Sequence, residues 1–176
     1  MLVKIKMVET FLSVLKSKES PRKIYKIFKK LLLLKLITIL NRTEYVDPGN
    51  MLLSVKWQRF FKKNSVRESL LLNSSVYVSF LKSVDQGKPA TKTSYYSLMK
   101  KYAGIKFAQN RAENFLLLYK NFKRTTEIQP VILVKNNKNL KYSILDGHHR
   151  TAIMNHLGKN KIPSKIISYK VFKLME

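Results

Sequence analysis

The sequence predicts an α+β domain, and three segments support that prediction. Residues 108–123 repeat apolar positions at three- and four-residue spacings, as a helix with one buried face does. Residues 130–134 then begin a strand, because β-branched residues follow a proline, and residues 141–145 are its partner across the turn residues 136–139. Residues 142–158 predict a strand, a tight turn and a short helix that stops at a glycine.

The N-terminal forty residues predict a basic helical arm. Residues 22–30 alternate basic and apolar positions, and residues 31–40 are almost wholly apolar. This run is too short to span a bilayer, which takes about 20 apolar residues. Two interpretations stay open: a helix packed on the domain, or a basic amphipathic helix on an anionic membrane surface. We therefore divide the chain into an arm at 1–40 and a domain at 41–176.

The middle of the chain carries weaker patterns. Residues 66–82 are ambiguous, because Val76, Val78 and Phe80 alternate as in a strand while the leucines at 70–72 favour a helix. The other predictions are a boundary loop at 41–50, a short helix or aromatic loop at 51–63, a loop at 85–89, a helix at 95–102 and a last strand at 162–171.

Composition limits the possible functions. The chain has 176 residues and 45% hydrophobic content, enough for one domain with its own core. It contains no cysteine, which excludes disulfides, thiolate metal sites and cysteine nucleophiles. This composition fits a cytoplasmic protein, with a peripheral location at the inner face of the membrane as the second expectation.

The charge is strongly positive. Lys and Arg number 35 against 10 Asp and Glu, a formal net charge of +25. Such a surface attracts nucleic acid, anionic lipid headgroups or phosphorylated small molecules without selecting among them. A second explanation of the charge does not involve function, because a genome poor in G and C also encodes frequent lysine, asparagine and isoleucine.

The stretch Asp146-Gly147-His148-His149-Arg150 is the candidate site. It follows a predicted strand and opens a helix, where backbone N–H groups lack partners and the helix dipole favours anions. Arg150 offers a planar fork suited to bidentate phosphate contact. His148 and His149 can donate to phosphate oxygens, but neighbours on a helix point about 100° apart, so we expect one to face the ligand and the other to anchor the turn.

Other residues near this stretch have two open interpretations each. Asp146 either caps the helix or acts in catalysis, and Gly147 allows close backbone approach to an anion. Thr151, on the same helical turn, is a further candidate cofactor-binding residue. His149 and His156 share a helical face, yet we predict no metal held by the protein alone, because cysteines are absent and carboxylates few.

The pattern from residue 127 to 170 resembles the ParB/sulfiredoxin-like superfamily. The matching parts are Gln129-Pro130-Val131-Ile132, then Ile144-Leu145 with the D-G-H-H-R motif, then Leu157-Gly158 before Ile162-Pro163. The resemblance implies a small mixed sheet with flanking helices. D-G-H-H-R is similar to the branch that contains free-serine kinases, whereas the chromosome-partitioning branch carries G-E-R-R and hydrolyses CTP. Sulfiredoxin activity needs a cysteine and is excluded. A looser resemblance, over residues 75–104, is to proteins encoded near surface-polysaccharide genes.

This resemblance implies a nucleotide-dependent phosphotransferase or hydrolase acting on a small hydroxyl compound. ATP or ADP, with CTP as an alternative, would be held with Mg²⁺ by Gly147, His148, His149 and Arg150. Asp146 would assist the magnesium–phosphate complex. Glu113 suits the acceptor-side carboxylate best, with Glu127, Glu44 and Asp47 as the other candidates. The rival functions are DNA binding of the partitioning class, and a non-catalytic accessory role in surface-polysaccharide assembly with residues 22–40 against a membrane.

Overall fold

The computed structural model confirms the α+β class. It describes residues 32, 42–54, 57, 71–124, 128–135 and 141–173. The chain divides into two compact units, Arg42–Tyr169 and a second made of Met1–Asn41 with Lys170–Glu176. The predicted arm at 1–40 lies outside the described residues except for Leu32, whose side chain is exposed.

Within the part of the chain that the structure describes, five strands form one mixed sheet in the order β1-β5-β3-β4-β2. The β1–β5 and β3–β4 pairs are antiparallel, whereas the β5–β3 and β4–β2 pairs are parallel. Because β3 pairs with both β4 and β5, the predicted hairpin and last strand form the middle of the sheet. The strands are β1 (Thr43–Val46), β2 (Met51–Leu52), β3 (Val131–Lys135), β4 (Tyr142–Asp146) and β5 (Ile162–Ile167).

Helix α4 connects the helical layer to the sheet. It contacts α1 and α3 as well as β3 and β5, and its middle residues Thr151–Met154 are buried. The core is continuous between the layers, with Phe80, Phe115 and Tyr95 among its largest buried side chains. The described helices are α1 (Val76–Asp85), α2 (Ser94–Ala103), α3 (Ile105–Phe122), α4 (His148–His156) and α5 (Tyr169–Lys173).

The strongest sequence patterns are confirmed. The helices predicted at 95–102 and 108–123 are α2 and α3, the strands predicted from 130 and 141 are β3 and β4, and α4 follows the motif. Thr93 caps α2 by accepting a hydrogen bond from the Tyr96 N–H at 3.2 Å. The turn predicted at 136–139 lies outside the described residues.

Weaker patterns were wrong at several places. The ambiguous segment 66–82 is a helix where its alternating residues lie, because residues 76–80 belong to α1. The buried face of α1 is wide, so Val76, Val78 and Phe80 are all buried and imitate the alternation of a strand. The predicted boundary loop contains strand β1 and a 3-10 turn at Pro48–Asn50, and residue 51 begins β2. β1 was missed because only its last residue is buried. The last strand ends at Ile167, and α5 follows it.

Within the described residues, no helix combines the length and apolar character that crossing a membrane requires.

Candidate functional site

A bulge in strand β4 sets the direction of the motif. Ile132 of β3 pairs with Asp146, whereas the next residue, Leu133, pairs with Ile144, which leaves Leu145 as an extra residue in β4. A bulge of this kind bends the strand and redirects the side chains beyond it. Asp146 is the last residue of the strand, and its side chain is 59% exposed.

Gly147 joins this strand to α4 in a conformation that only glycine adopts easily. Its φ is 94° and its ψ is 23°, in the left-handed region. A Cβ atom at this position would lie 2.7 Å from Cγ1 of Val131. Both the dihedral angles and the close approach to β3 therefore require glycine here.

The N-terminus of α4 has no side-chain cap among the described residues. The first helical bond runs from the Thr151 N–H to the Gly147 carbonyl at 2.8 Å, so the N–H groups of His148, His149 and Arg150 have no helical acceptor. Asp146 does not cap the helix, because its carboxylate accepts a hydrogen bond from Arg150 instead. The helix end thus presents three N–H donors with the positive end of its dipole.

Arg150 connects this helix end to the start of β3. Its Nη1 donates to the carbonyls of Gln129 at 2.9 Å and Pro130 at 3.2 Å, and its Nη2 donates to Asp146 at 3.0 Å. The sequence predicted a phosphate-binding arginine, but most of this fork is engaged within the protein. These interactions join the Gln129-Pro130 segment to the motif.

His148 points inward against α1. Its Nε2 accepts a hydrogen bond from the Ser54 N–H at 3.1 Å, and its ring stacks on Tyr77 with centroids 5.7 Å apart. Burial lowers the pKa of His148 to about 4, against a smaller opposing effect of Asp146. The ring is therefore neutral at pH 7, and its proton is on Nδ1, the one donor that the side chain offers.

His149 also packs on the helical layer. Its Nε2 lies 2.8 Å from the Tyr95 hydroxyl, and its ring centroid is 4.3 Å from that of Phe115. Burial, followed by the positive charge of Arg111 and the charge that His148 acquires at low pH, lowers the pKa of His149 to about 3. Burial likewise raises the pKa of Tyr95 to about 12, so both partners are neutral at pH 7. The two histidines therefore bring hydrogen-bonding capacity to the motif without positive charge.

Sequence reasoning missed Arg111, which supplies charge beside the motif. It is exposed on α3 one helical turn before Phe115, the residue in contact with His149. Its positive charge acts to lower the pKa values of four buried rings, against the larger opposite effect of burial in the two tyrosines. The four are His148, His149, Tyr77 and Tyr95. The helical spacing between residues 111 and 115 could have indicated that the two share a face.

The structure does not bring Glu113 to the motif. Two positions on a helix differ by about 200°, so Glu113 lies on the face of α3 opposite Arg111. It is exposed and accepts a hydrogen bond from Gln109 at 3.1 Å. Thr151 is fully buried, and its hydroxyl donates to the Gly147 carbonyl at 2.8 Å, so it stabilises the turn from the core side and not as a ligand contact.

The other candidate carboxylates lie in β1, in the turn before β2 or outside the described residues. Asp47 accepts a hydrogen bond from the Gly49 N–H at 2.7 Å and shapes the turn before β2. Glu44 is exposed on β1, and Glu127 is not described. Asp146 is thus the one described carboxylate within the motif.

His156 belongs to a separate polar cluster at the other end of α4. Its Nε2 lies 2.6 Å from Asp85, which also accepts hydrogen bonds from the Tyr119 hydroxyl at 2.9 Å and from Lys123 at 3.4 Å. Partial burial raises the pKa of Asp85, but the hydrogen bonds from His156 and Tyr119 outweigh it and lower the value overall. Among the described residues, no three His, Asp or Glu side chains are grouped to hold a metal ion.

Comparison with known families supports the assignment of this region. Residues 106–173, from the start of α3 to the end of α5, match the family model of the ParB N-terminal domain. This match confirms the resemblance to the ParB/sulfiredoxin-like superfamily that the motif predicted. Residues 106–173 are therefore similar to a ParB N-terminal domain, and this matched region contains the whole β4–α4 site. No curated protein and no solved structure matches the chain.

Proposed function

We propose that this ParB-like domain binds a nucleotide through its phosphates at the N-terminus of α4. The observation that carries the proposal is the uncapped first turn, where three N–H groups follow the left-handed Gly147 and no described side chain satisfies them. A phosphate oxygen is the acceptor that such a turn favours, since both the donors and the dipole act on negative charge.

Two arginines would have different roles at this site. Arg150 holds the turn to β3 through the Gln129 and Pro130 carbonyls, so its contribution is mainly to position the N–H groups. Arg111 is exposed beside the neutral histidines and would supply the charge that the ligand meets. The Nδ1–H group of His148 adds a donor that remains available at neutral pH.

Mg²⁺ fits this site only together with the phosphates. Asp146 is one carboxylate, and magnesium is commonly held by one or two carboxylates with phosphate oxygens and water completing its shell. Bound in this way, the ion would neutralise phosphate charge. Asp146 would orient it while remaining paired with Arg150.

Phosphotransfer to a small hydroxyl compound, or nucleotide hydrolysis, is the activity that the D-G-H-H-R motif suggests for this site. Either reaction needs a group that orients the attacking hydroxyl or water. Asp146 is the described residue able to do so, because it is exposed at the motif and Glu113 faces away. ATP and ADP are the first nucleotides to test, followed by CTP and GTP.

The test is a thermal-shift screen of ATP, ADP, CTP and GTP, each with and without Mg²⁺, on wild type and two charge-reversal variants. Arg111→Glu reverses the charge beside the motif. Lys120→Glu makes the same change in net charge at another exposed position of α3. Ligand at 100 times its Kd stabilises the folded state by about 2.7 kcal/mol, which raises the Tm measurably.

We expect one nucleotide to raise the Tm of wild type and of Lys120→Glu, and to have a much smaller effect on Arg111→Glu. The absence of a shift with every nucleotide would refute the proposal. Shifts that are reduced equally in the two variants, relative to wild type, would show that net charge and not the position of Arg111 attracts the nucleotide.

A further inference from the structure

The corner between α2 and α3 exposes apolar and basic side chains together. Ile105 is 59% exposed and Phe107 is 37% exposed, at the start of α3. Lys100, Lys101 and Lys106 are exposed around them. We refer to these five residues as the α2–α3 corner.

No acidic residue lies near this corner in the sequence. Between Asp85 and Glu113 the chain has six basic residues and no Asp or Glu. The positive charge of the corner is therefore not compensated along this stretch, whereas the Asp85 cluster pairs Lys123 with a carboxylate.

We propose that the α2–α3 corner docks the protein on an anionic lipid surface. The lysines would meet the headgroups, and Ile105 and Phe107 would enter the boundary between headgroups and acyl chains. A basic segment near an anionic leaflet gains attraction from each Lys or Arg, and exposed apolar side chains add a part that salt does not screen.

The exposed aliphatic side chain of Ile105 favours lipid over nucleic acid as the partner of the α2–α3 corner. Single-stranded nucleic acid binds through basic side chains and through aromatic rings on which bases stack. Phe107 could serve either partner, and its ring lies 5.7 Å from the Arg111 guanidinium. Ile105 offers no stacking surface, yet it is the more exposed of the two, and burial in the interfacial layer removes its side chain from water.

The experiment is co-sedimentation of the full chain with vesicles of phosphatidylcholine alone and of phosphatidylcholine with 30% phosphatidylserine. Two pairs of variants separate the corner from general charge. The apolar pair is Ile105→Ser and Leu117→Ser, since Leu117 is 57% exposed further along α3. The charge pair is a corner triple and a control triple of equal net charge: Lys100→Gln, Lys101→Gln, Lys106→Gln against Lys120→Gln, Lys159→Gln, Lys161→Gln.

We expect wild type to bind the anionic vesicles and not the neutral ones. One lysine near the surface contributes about fivefold to the partition coefficient, so the corner triple should weaken binding by about 100-fold and the control triple by much less. Ile105→Ser should weaken binding, with the loss most visible at high salt, whereas Leu117→Ser should not. Melting curves by circular dichroism would check that all variants are folded.

Equal losses in the two triples, or no loss in Ile105→Ser, would overturn the proposal. Binding to a 20-nucleotide single strand that falls in the corner triple, without any vesicle binding by wild type, would assign the corner to nucleic acid instead. These outcomes do not depend on the nucleotide screen, because no residue of the corner belongs to the α4 turn.

Discussion

Gly147 determines the geometry of the motif at the scale of a single residue. Its left-handed conformation begins α4 directly after β4, and its missing side chain lets the turn lie against Val131. A side chain would both strain the backbone and push the turn away from the sheet. The N–H donors that follow depend on this one position.

We expect Gly147→Ala to destabilise the protein more than Gly87→Ala. Both glycines have positive φ, at 94° and 78°, so each substitution costs about 1–2 kcal/mol of backbone strain. Only at Gly147 does the new Cβ meet another atom, which adds about 1–3 kcal/mol of overpacking. Urea unfolding of the two variants measures the difference. Equal losses would contradict the close approach to Val131.

His149 should make the stability depend on pH. Its pKa is about 6.5 when the chain is unfolded and about 3 when it is folded, so the unfolded state binds more protons between these values. The stabilising contribution is fully present above pH 6.5 and is lost as the pH falls below it. Urea unfolding at pH 7.5 and pH 5 should show this loss in wild type and a smaller loss in His149→Gln. An identical loss in both would assign the dependence to other groups.

Arg150 acts at the scale of elements, because it holds the first turn of α4 to the start of β3. Lysine keeps the charge but has no planar fork to reach the Gln129 and Pro130 carbonyls and Asp146 together. We expect Arg150→Lys to destabilise the protein by about 1–3 kcal/mol without any ligand present, as measured by urea unfolding. Unchanged stability, with nucleotide binding lost, would return Arg150 to the phosphate role that the sequence predicted.

The Asp85 cluster connects the ends of three helices. Asp85 ends α1, Tyr119 and Lys123 lie at the end of α3, and His156 ends α4. In a double-mutant cycle of Asp85→Asn and His156→Gln, we expect a coupling of about 0.5–1 kcal/mol at neutral pH, because Asp85 is partly exposed to solvent. A coupling of zero would show that the 2.6 Å contact adds nothing to stability.

The sequence predicted elements best where the pattern of burial matched their period. α3 has one buried face and β3 is a β-branched run behind a proline, so both were found. α1 has a wide buried face that also makes alternate residues apolar, and only the last residue of β1 is buried, so neither element was identified from its period. The motif indicated a candidate site, which stays a prediction, but not the inward direction of its histidines or the internal contacts of Arg150. Those features depend on contacts with residues of α1 and α2 and with the segment that begins β3. Each of these contacts joins residues at least 20 positions apart in the sequence.

The charge of the whole molecule affects any anion that it binds. With 35 basic and 10 acidic residues, the surface concentrates phosphates, nucleic acid and anionic lipid near the protein. Specific binding must therefore be recognised by where the ligand contacts the fold and not by affinity alone. For this reason, the two members of each pair of charge variants change the net charge by the same amount.

The proposed function depends on phosphate binding at the first turn of α4. A titration of ¹⁵N-labelled protein with ATP, ADP or CTP and Mg²⁺, followed by ¹H–¹⁵N correlation spectra, tests this binding at the N–H groups themselves. We expect the amide signals of His148, His149 and Arg150 to shift most, and to saturate together, because these N–H groups would donate to the phosphate oxygens. Largest shifts at the lysines of other elements, or no saturable shift at the α4 turn, would contradict the claim.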